Sequence, residues 1–171
     1  YRKYSSYPAR SGLTGAQAAQ NILNNNGIYD VKVVCYNGGE LSDHFDPRAK
    51  TIRLSPAVYN SSSVSSICIA AHEVGHAIQY AKGYAPIKVR NTILPIANIG
   101  SQLSFPLVII GILFGGNDLL INIGIGLFLA VLLFQLLTLP VEFNASRRAM
   151  ENIDGVYVSG EETTGAKKVL K

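Results

Sequence analysis

The sequence predicts an α+β membrane protein, in which a small part built from short strands and helices is joined to a transmembrane helical hairpin. Of the 171 residues, 48% are apolar and 15% are charged, whereas soluble domains usually have about a quarter charged. The charged residues avoid one long segment, which contains two apolar runs separated by a turn. The rest of the chain alternates short strand patterns with helical patterns. This composition excludes a disordered chain, and two cysteines are too few for a disulfide scaffold.

The hairpin is predicted from the distribution of charge. Between Arg90 and Glu142 the one ionisable residue is Asp118. Two apolar runs, 93–114 and 119–139, flank the turn sequence at 115–118, and each approaches the roughly 20 residues that cross a hydrocarbon core. The alternative is a buried core hairpin of a soluble protein, but two adjacent runs of this length favour a membrane.

Basic residues predict the orientation of the hairpin. Lys82, Lys88 and Arg90 precede it, Arg147 and Arg148 follow it, and its tip has no Lys or Arg. By the positive-inside rule both flanks face the cytoplasm. We therefore predict a multi-pass protein of the inner (plasma) membrane with a cytoplasmic part at 1–92, a hairpin at 93–140 and a cytoplasmic segment at 141–171. The net charge of +4 is explained by this topology, so no nucleic-acid partner is expected.

Short elements are predicted before the hairpin. Thr14 is a helix cap and Gly27 a helix stop, and Ser55-Pro56 marks another helix start. A longer helix is expected from Val64 to Lys82, ending at Gly83. Strands are expected at 31–36, 40–45 and 50–55, and the last two are joined through Asp46-Pro47-Arg48. The strand at 51–55 could be an edge that pairs with an extended peptide.

The helix at 64–82 contains the motif His72-Glu73-Val74-Gly75-His76. Residues four apart share one helix face, so both imidazoles can bind one Zn²⁺. Zinc lowers the pKa of a bound water towards 7, and Glu73 can then accept its proton as a general base. Glu73 is the one charged residue from Val64 to Ala81. The alternative is a helix with two hydrogen-bonded histidines and no metal.

A catalytic zinc site usually has a third protein ligand. Glu142 is favoured because it directly follows the second apolar run, so the hairpin returns it to the side of His72 and His76. Its alternative role is an interfacial carboxylate paired with Arg147 or Arg148. Topology removes Asp118. The remaining candidates are Asp43, His44, Asp46, Glu151 and Asp154.

Three segments together carry a resemblance to a known family: HEVGH, LSDHFDPRAKTIRLS at 41–55 and TLPVEFNAS at 138–146. The chain resembles the bacterial membrane-bound neutral zinc metallopeptidases over nearly its whole length. It is more distantly similar to membrane gluzincins with an E-x-x-A-D motif. The resemblance implies a zincin-like catalytic part, with His72, His76 and Glu142 as zinc ligands and Glu73 as general base. It also implies further apolar spans outside this chain, which opens without Met.

One position departs from the distant relatives, because Ser146 stands where they have Asp. In those relatives the Asp is expected to support a zinc-binding His. The resemblance therefore implies the zinc ligands but not the group that supports them.

The sequence thus predicts a membrane-anchored zinc metalloendopeptidase that cleaves a peptide or membrane-protein substrate at the cytoplasmic face of the bilayer. Hydrolysis would proceed by Glu73-assisted attack of zinc-bound water. One alternative is an intramembrane zinc protease that uses Asp154 of an Asp-Gly pair as third ligand. Another is a non-enzymatic membrane scaffold that binds structural zinc or none.

Four weaker signals are noted. His44 has either a structural hydrogen bond or a role beside an oxyanion. Cys35 and Cys68 are read as apolar thiols rather than ligands of a structural zinc. Gly111-x-x-x-Gly115 either lets two helices approach or ends the first span at its turn.

Overall fold

Helices dominate the protein, and the β-structure of its described residues is one small sheet. The computed structural model describes residues 2–39 and 42–170. The chain divides into two units, one formed by residues up to Tyr84 with those from Glu142 onward, the other by Ala85–Val141. The elements of the first unit before the hairpin are α1 (Arg2–Ser5), α2 (Gly15–Asn25), β1 (Lys32–Cys35), β2 (His44–Asp46), β3 (Thr51–Leu54), α3 (Pro56–Tyr59) and α4 (Val64–Ala81). The long helices are α5 (Ala85–Leu113) and α6 (Asp118–Ile153), and α7 (Glu161–Val169) follows them.

The sheet has the order β1-β3-β2. β1 runs parallel to β3, whereas β2 pairs antiparallel with β3 through the expected turn. In that turn the Asp46 carboxylate accepts hydrogen bonds from the backbone N–H groups of Arg48 and Ala49. Residues 40 and 41 of the predicted second strand lie outside the described residues.

β3 is the central strand, so the prediction of an edge strand at Thr51–Ser55 is wrong. Ile52 and Leu54 are fully buried, because β3 is paired on both sides and turns alternate residues into the core. The sequence showed the alternation of apolar residues but not the parallel crossover from β1, which occupies the second side of β3.

Hydrogen-bonded caps begin two helices of the first unit, and the sequence predicts the one at Thr14. The Thr14 hydroxyl accepts from the backbone N–H of Gln17, whose side chain accepts from the N–H of Thr14, and this capping box begins α2. The Ser63 hydroxyl likewise accepts from the N–H of Ser66 at the start of α4. α4 is buried along most of its length and forms the centre of the core, against which α2 packs.

The second unit consists of two helices that are long and apolar enough to cross a membrane by length and composition. They pack closely at glycines: a Cβ added to Gly124 would lie 2.8 Å from the Ser104 carbonyl oxygen, and one added to Gly111 would lie 2.7 Å from Ile121. Gly115 has a φ of +77° in the turn, so Gly111 serves packing and Gly115 ends the helix.

Both long helices exceed the predicted apolar runs. α5 begins at Ala85, before the run at 93–114, and α6 continues through Pro140 to Ile153. Pro140 therefore does not end the helix. The last turns of α6 belong to the first unit, where Ala145, Ala149 and Ile153 are buried along one face at a spacing of four residues.

Candidate metal centre

The two histidines of the HExxH motif lie on one face of α4. His72 and His76 are one helical turn apart, and their ring centroids are separated by 4.8 Å with the rings at 86°. The separation of four residues produces this placement. Most residues of α4 around the motif are packed in the core.

Glu142 of α6 meets both imidazoles. Its Oε2 atom is 3.1 Å from His72 Nε2 and 3.4 Å from His76 Nε2. One donor atom from each of the three residues lies within 4.8 Å of the others, as sequence reasoning placed them. Two imidazole nitrogens and one carboxylate oxygen are a donor set typical of catalytic zinc, so the residues present fit a zinc ion.

Gly75 lets the two helices approach closely enough for this contact. A Cβ added to Gly75 would lie 2.6 Å from the carbonyl oxygen of Ala145. Gly75 lies between the two histidines in the motif, and Ala145 lies one turn beyond Glu142. Because a larger residue cannot fit, the glycine is part of what brings the carboxylate to the imidazoles.

The cluster is exposed to solvent on one side. The His76 side chain is 6% exposed, whereas those of His72 and Glu142 are 21% and 33% exposed. The buried His76 fixes the inner side of the cluster. The more open side, at His72 and Glu142, is in contact with solvent, and a catalytic metal site requires such an accessible side.

Glu73 is buried next to the cluster. Burial raises the pKa of its carboxyl; His76 and His72 partly oppose this increase, and the carboxylates of Glu142 and Asp43 add to it. Burial lowers the pKa of His76, but its contacts with Glu142 and Glu73 outweigh burial, so this pKa is raised overall. Without a metal, Glu73 and His76 therefore hold protons more tightly than usual. These protons balance the negative charge of the carboxylates, as a metal cation would.

Each imidazole has a second contact through Nδ1. His72 Nδ1 is 3.2 Å from the hydroxyl of Ser146, the position at which the distant relatives have Asp. His76 Nδ1 is 3.0 Å from the Oε1 atom of the fully buried Gln79. Gln79 in turn contacts Asn144. Sequence reasoning did not identify Gln79 or Asn144, although an amide on an otherwise apolar helix face, three residues after a ligand, was an available signal.

The other candidate ligands have different partners. Asp43 accepts from the backbone N–H of Ser55 at 2.7 Å, and Asp154 accepts from the Thr163 hydroxyl at 2.8 Å. Asp46 pairs with Arg53, and Glu151 pairs with Arg147. Asp118 begins α6 in the second unit. Among the described residues, no other group of three His, Cys, Asp or Glu side chains forms such a cluster.

His44 has a structural environment. Its Nδ1 atom is 2.7 Å from the Ser42 carbonyl, and its Nε2 atom is 3.4 Å from the Arg53 guanidinium. Since a carbonyl only accepts, Nδ1 carries the proton and Nε2 accepts from Arg53. Cys35 is exposed and Cys68 is buried, and burial raises the pKa of the Cys68 thiol to about 12.

The fold and the site define a class of protein: one with two helices able to span a membrane and an HExxH helix whose imidazoles meet a carboxylate. Comparison with known proteins places the chain in a family of this class. The family model described as "Putative neutral zinc metallopeptidase" matches residues 1–171, and the chain belongs to this family. A curated relative, the "Putative membrane protease YugP" of Bacillus subtilis (strain 168), is 45% identical over 172 residues, covering 99% of this chain and 75% of the relative. No solved structure matches the chain.

Proposed function

We propose that this protein is a membrane-anchored zinc metalloendopeptidase. The observation that carries the proposal is the approach of one Glu142 oxygen to both imidazole Nε2 atoms, at 3.1 and 3.4 Å, with the buried Glu73 beside them. His72, His76 and Glu142 would hold the zinc ion. Family membership and the name of the relative support zinc and peptide hydrolysis.

The residues have distinct roles in the proposed reaction. A zinc ion held by the three donors would supply a Lewis acid and would lower the pKa of a water molecule towards 7. Glu73 accepts one proton from the water that attacks the peptide carbonyl, and it then donates that proton to the leaving amine as the C–N bond breaks.

The location of the reaction is also proposed. The flanks of the hairpin would face the cytoplasm, so the site would act at the cytoplasmic face of the inner membrane on a peptide or membrane-protein substrate. The basic residues on both flanks and the two apolar helices support this topology. The small sheet beside the HExxH helix supports a zincin-like catalytic part.

Two other functions are less well supported. An intramembrane protease with Asp154 as ligand is disfavoured because that carboxylate accepts a hydrogen bond from Thr163. A non-enzymatic scaffold with structural zinc needs closed coordination by four protein ligands, and the described residues provide a cluster of three.

Metal analysis and proteolysis together test the proposal. The full chain is purified in detergent as wild type, His72→Ala, Glu142→Ala and Glu73→Gln, with Glu151→Gln as the control for removing a carboxylate from α6. We expect about one zinc per chain, lost in the first two variants and retained in Glu73→Gln and Glu151→Gln. Casein or a membrane protein should be cleaved by wild type and Glu151→Gln but not by Glu73→Gln. Wild type without zinc, or equal cleavage by Glu73→Gln, would overturn the proposal.

A further inference from the structure

A chain of hydrogen bonds begins on the side of His76 away from Glu142. Arg148 Nε lies 2.8 Å from Asn144 Oδ1, Gln79 Nε2 lies 3.0 Å from the same oxygen, and Gln79 Oε1 lies 3.0 Å from His76 Nδ1. All four residues belong to the first unit. Gln79 is fully buried, and the His76 side chain is 6% exposed.

The direction of every hydrogen bond in this chain follows from Arg148. A guanidinium has only donors, so the Asn144 atom that faces it must be the amide oxygen. Gln79 must then direct its NH₂ group at that oxygen, and its own oxygen faces His76. Because an amide oxygen only accepts, His76 Nδ1 must carry a proton.

His76 Nε2 is consequently left with its lone pair when the ring is neutral. That atom faces Glu142 Oε2 at 3.4 Å. The lone pair and the carboxylate oxygen are both acceptors, so they repel each other unless a proton or a metal ion lies between them. His72 differs, because its Nδ1 partner is the Ser146 hydroxyl, which can donate or accept. One imidazole therefore has a fixed tautomer and the other does not.

We propose that Arg148, Asn144 and Gln79 are positioning residues that hold His76 in the tautomer with the proton on Nδ1 and its Nε2 lone pair directed at the metal. The inference rests on the proposed function for the metal itself. The tautomer, however, is a property of the metal-free protein and is measured without metal or substrate. Outer contacts of this kind typically change metal affinity by about 10- to 100-fold.

The tautomer is tested by nitrogen NMR on the metal-free full chain in detergent. With ¹⁵N-histidine the chain gives signals from three imidazoles. In the high-pH limit, where the ring signals no longer change with pH and the imidazole is neutral, we expect His76 to carry its proton on Nδ1. His44 is an internal reference because the Ser42 carbonyl fixes its tautomer. A His76 proton on Nε2 would overturn the inference even if the protein binds zinc.

Metal affinity tests the role of the distant arginine. Arg148→Met frees Asn144 and Gln79 to reverse, so we expect about tenfold weaker binding of Zn²⁺ or Co²⁺ and a mixture of His76 tautomers. Arg148→Lys and Asn144→Asp, each made in the wild-type chain, should keep the affinity near that of wild type, since the first keeps a donor and the second keeps an acceptor. The matched control is Arg147→Met, which removes the same charge from an exposed side chain and should change affinity less than twofold.

The outcomes separate this inference from the proposed function. If wild type binds no zinc but its His76 has the expected tautomer, the proposed function fails and the tautomer assignment stands. If Arg148→Met binds metal as tightly as Arg147→Met and keeps one tautomer, the hydrogen-bond chain has no positioning role. A Co²⁺ absorption spectrum changed in Arg148→Met and recovered in Arg148→Lys would support it, because a purely structural role would not alter the ligand field.

Discussion

The backbone of Ala145 lies directly against Gly75, so that a Cβ added to the glycine would be 2.6 Å from the Ala145 carbonyl oxygen. This contact is between the middle of the HExxH motif on α4 and the turn of α6 that follows Glu142. No flexible side chain at this contact can move aside, because the neighbouring atoms are backbone. The two helices can approach this closely because Gly75 has a hydrogen atom where any other residue has a Cβ.

Gly75→Ala should move α6 away from α4. A displacement of several tenths of an ångström would lengthen the contacts of Glu142 with both histidines, so we expect zinc affinity to fall at least tenfold and stability to fall by about 1–3 kcal/mol. Chelator competition measures the affinity. The control is Gly126→Ala, a helical glycine with no neighbouring atom within 4 Å. Unchanged affinity in Gly75→Ala would show that the contact does not set the site.

The pH dependence of stability should reflect Glu73 and His76. Both pKa values are raised in the metal-free fold, so the folded state binds protons more tightly than the unfolded chain. Stability is then greatest below the ordinary pKa values, about 4.3 for Glu and 6.5 for His, and is lost as pH rises through the folded values.

Glu73→Gln should remove one of these contributions. At pH 7 we expect the metal-free variant to have a Tm about 2–4 °C above wild type, which corresponds to roughly 1 kcal/mol, and a weaker pH dependence. Thermal unfolding of chelator-treated protein measures this, with Glu151→Gln as the exposed-carboxylate control. The assignment of a buried, proton-favouring Glu73 is wrong if wild type and Glu73→Gln have the same Tm from pH 5 to 8.

Ser146 should tune the other histidine. Ser146→Ala removes the contact with His72 Nδ1, and we expect about tenfold weaker zinc binding. Ser146→Asp should tighten binding, because a carboxylate accepts the Nδ1 proton and makes the imidazole a stronger ligand. Ser101→Ala, at an exposed position of α5, is the control. Equal affinities in the Ala and Asp variants would contradict this role.

Glu142→Gln and Asp154→Asn test which carboxylate is the third ligand. Zinc affinity should fall at least a hundredfold in Glu142→Gln, because a carboxylate oxygen is replaced by a neutral amide. It should change less than twofold in Asp154→Asn, whose parent carboxylate contacts Thr163 instead. Isothermal titration of the metal-free proteins compares them directly. The reverse ranking would favour the intramembrane alternative.

The proposed topology predicts the labelling of introduced cysteines. In a Cys35→Ser background, a membrane-impermeant maleimide should react with Asn117→Cys in intact cells and with Glu151→Cys only after permeabilisation. Cys68 should stay silent because it is buried and its thiol pKa is raised to about 12. If both introduced cysteines were labelled in intact cells without permeabilisation, the proposed hairpin topology would be excluded.

The fold of the small unit was predictable where local chemistry dominates. The cap at Thr14, the helix start at Ser55-Pro56 and the turn at Asp46 are local signals, and the structure confirms the elements they begin or end. The order β1-β3-β2 was not predictable, since it depends on a parallel crossover. The polar segment after Arg148 gave no prediction of α7.

The site was predictable to the level of its three donor residues, which the structure brings together. The way in which the helices bring these three residues into contact was harder to predict from the sequence. The predicted second apolar run stops at residue 139, yet α6 continues through Pro140 and places Glu142 and Ala145 on one helix. The amide of Gln79 on an apolar helix face is visible in the sequence, but its contact with Asn144 depends on which side chains meet across two helices and is not.

His72 and Glu142 are 70 residues apart in the chain, and α5 and the first two thirds of α6 lie between them. A ribosome therefore releases both imidazoles well before the carboxylate that completes the cluster. On the proposed function, a nascent or prematurely terminated chain that ends before Glu142 lacks the third zinc ligand and is incapable of hydrolysis. The order of the motifs along the polypeptide therefore delays assembly of the cluster until Glu142 has been synthesised.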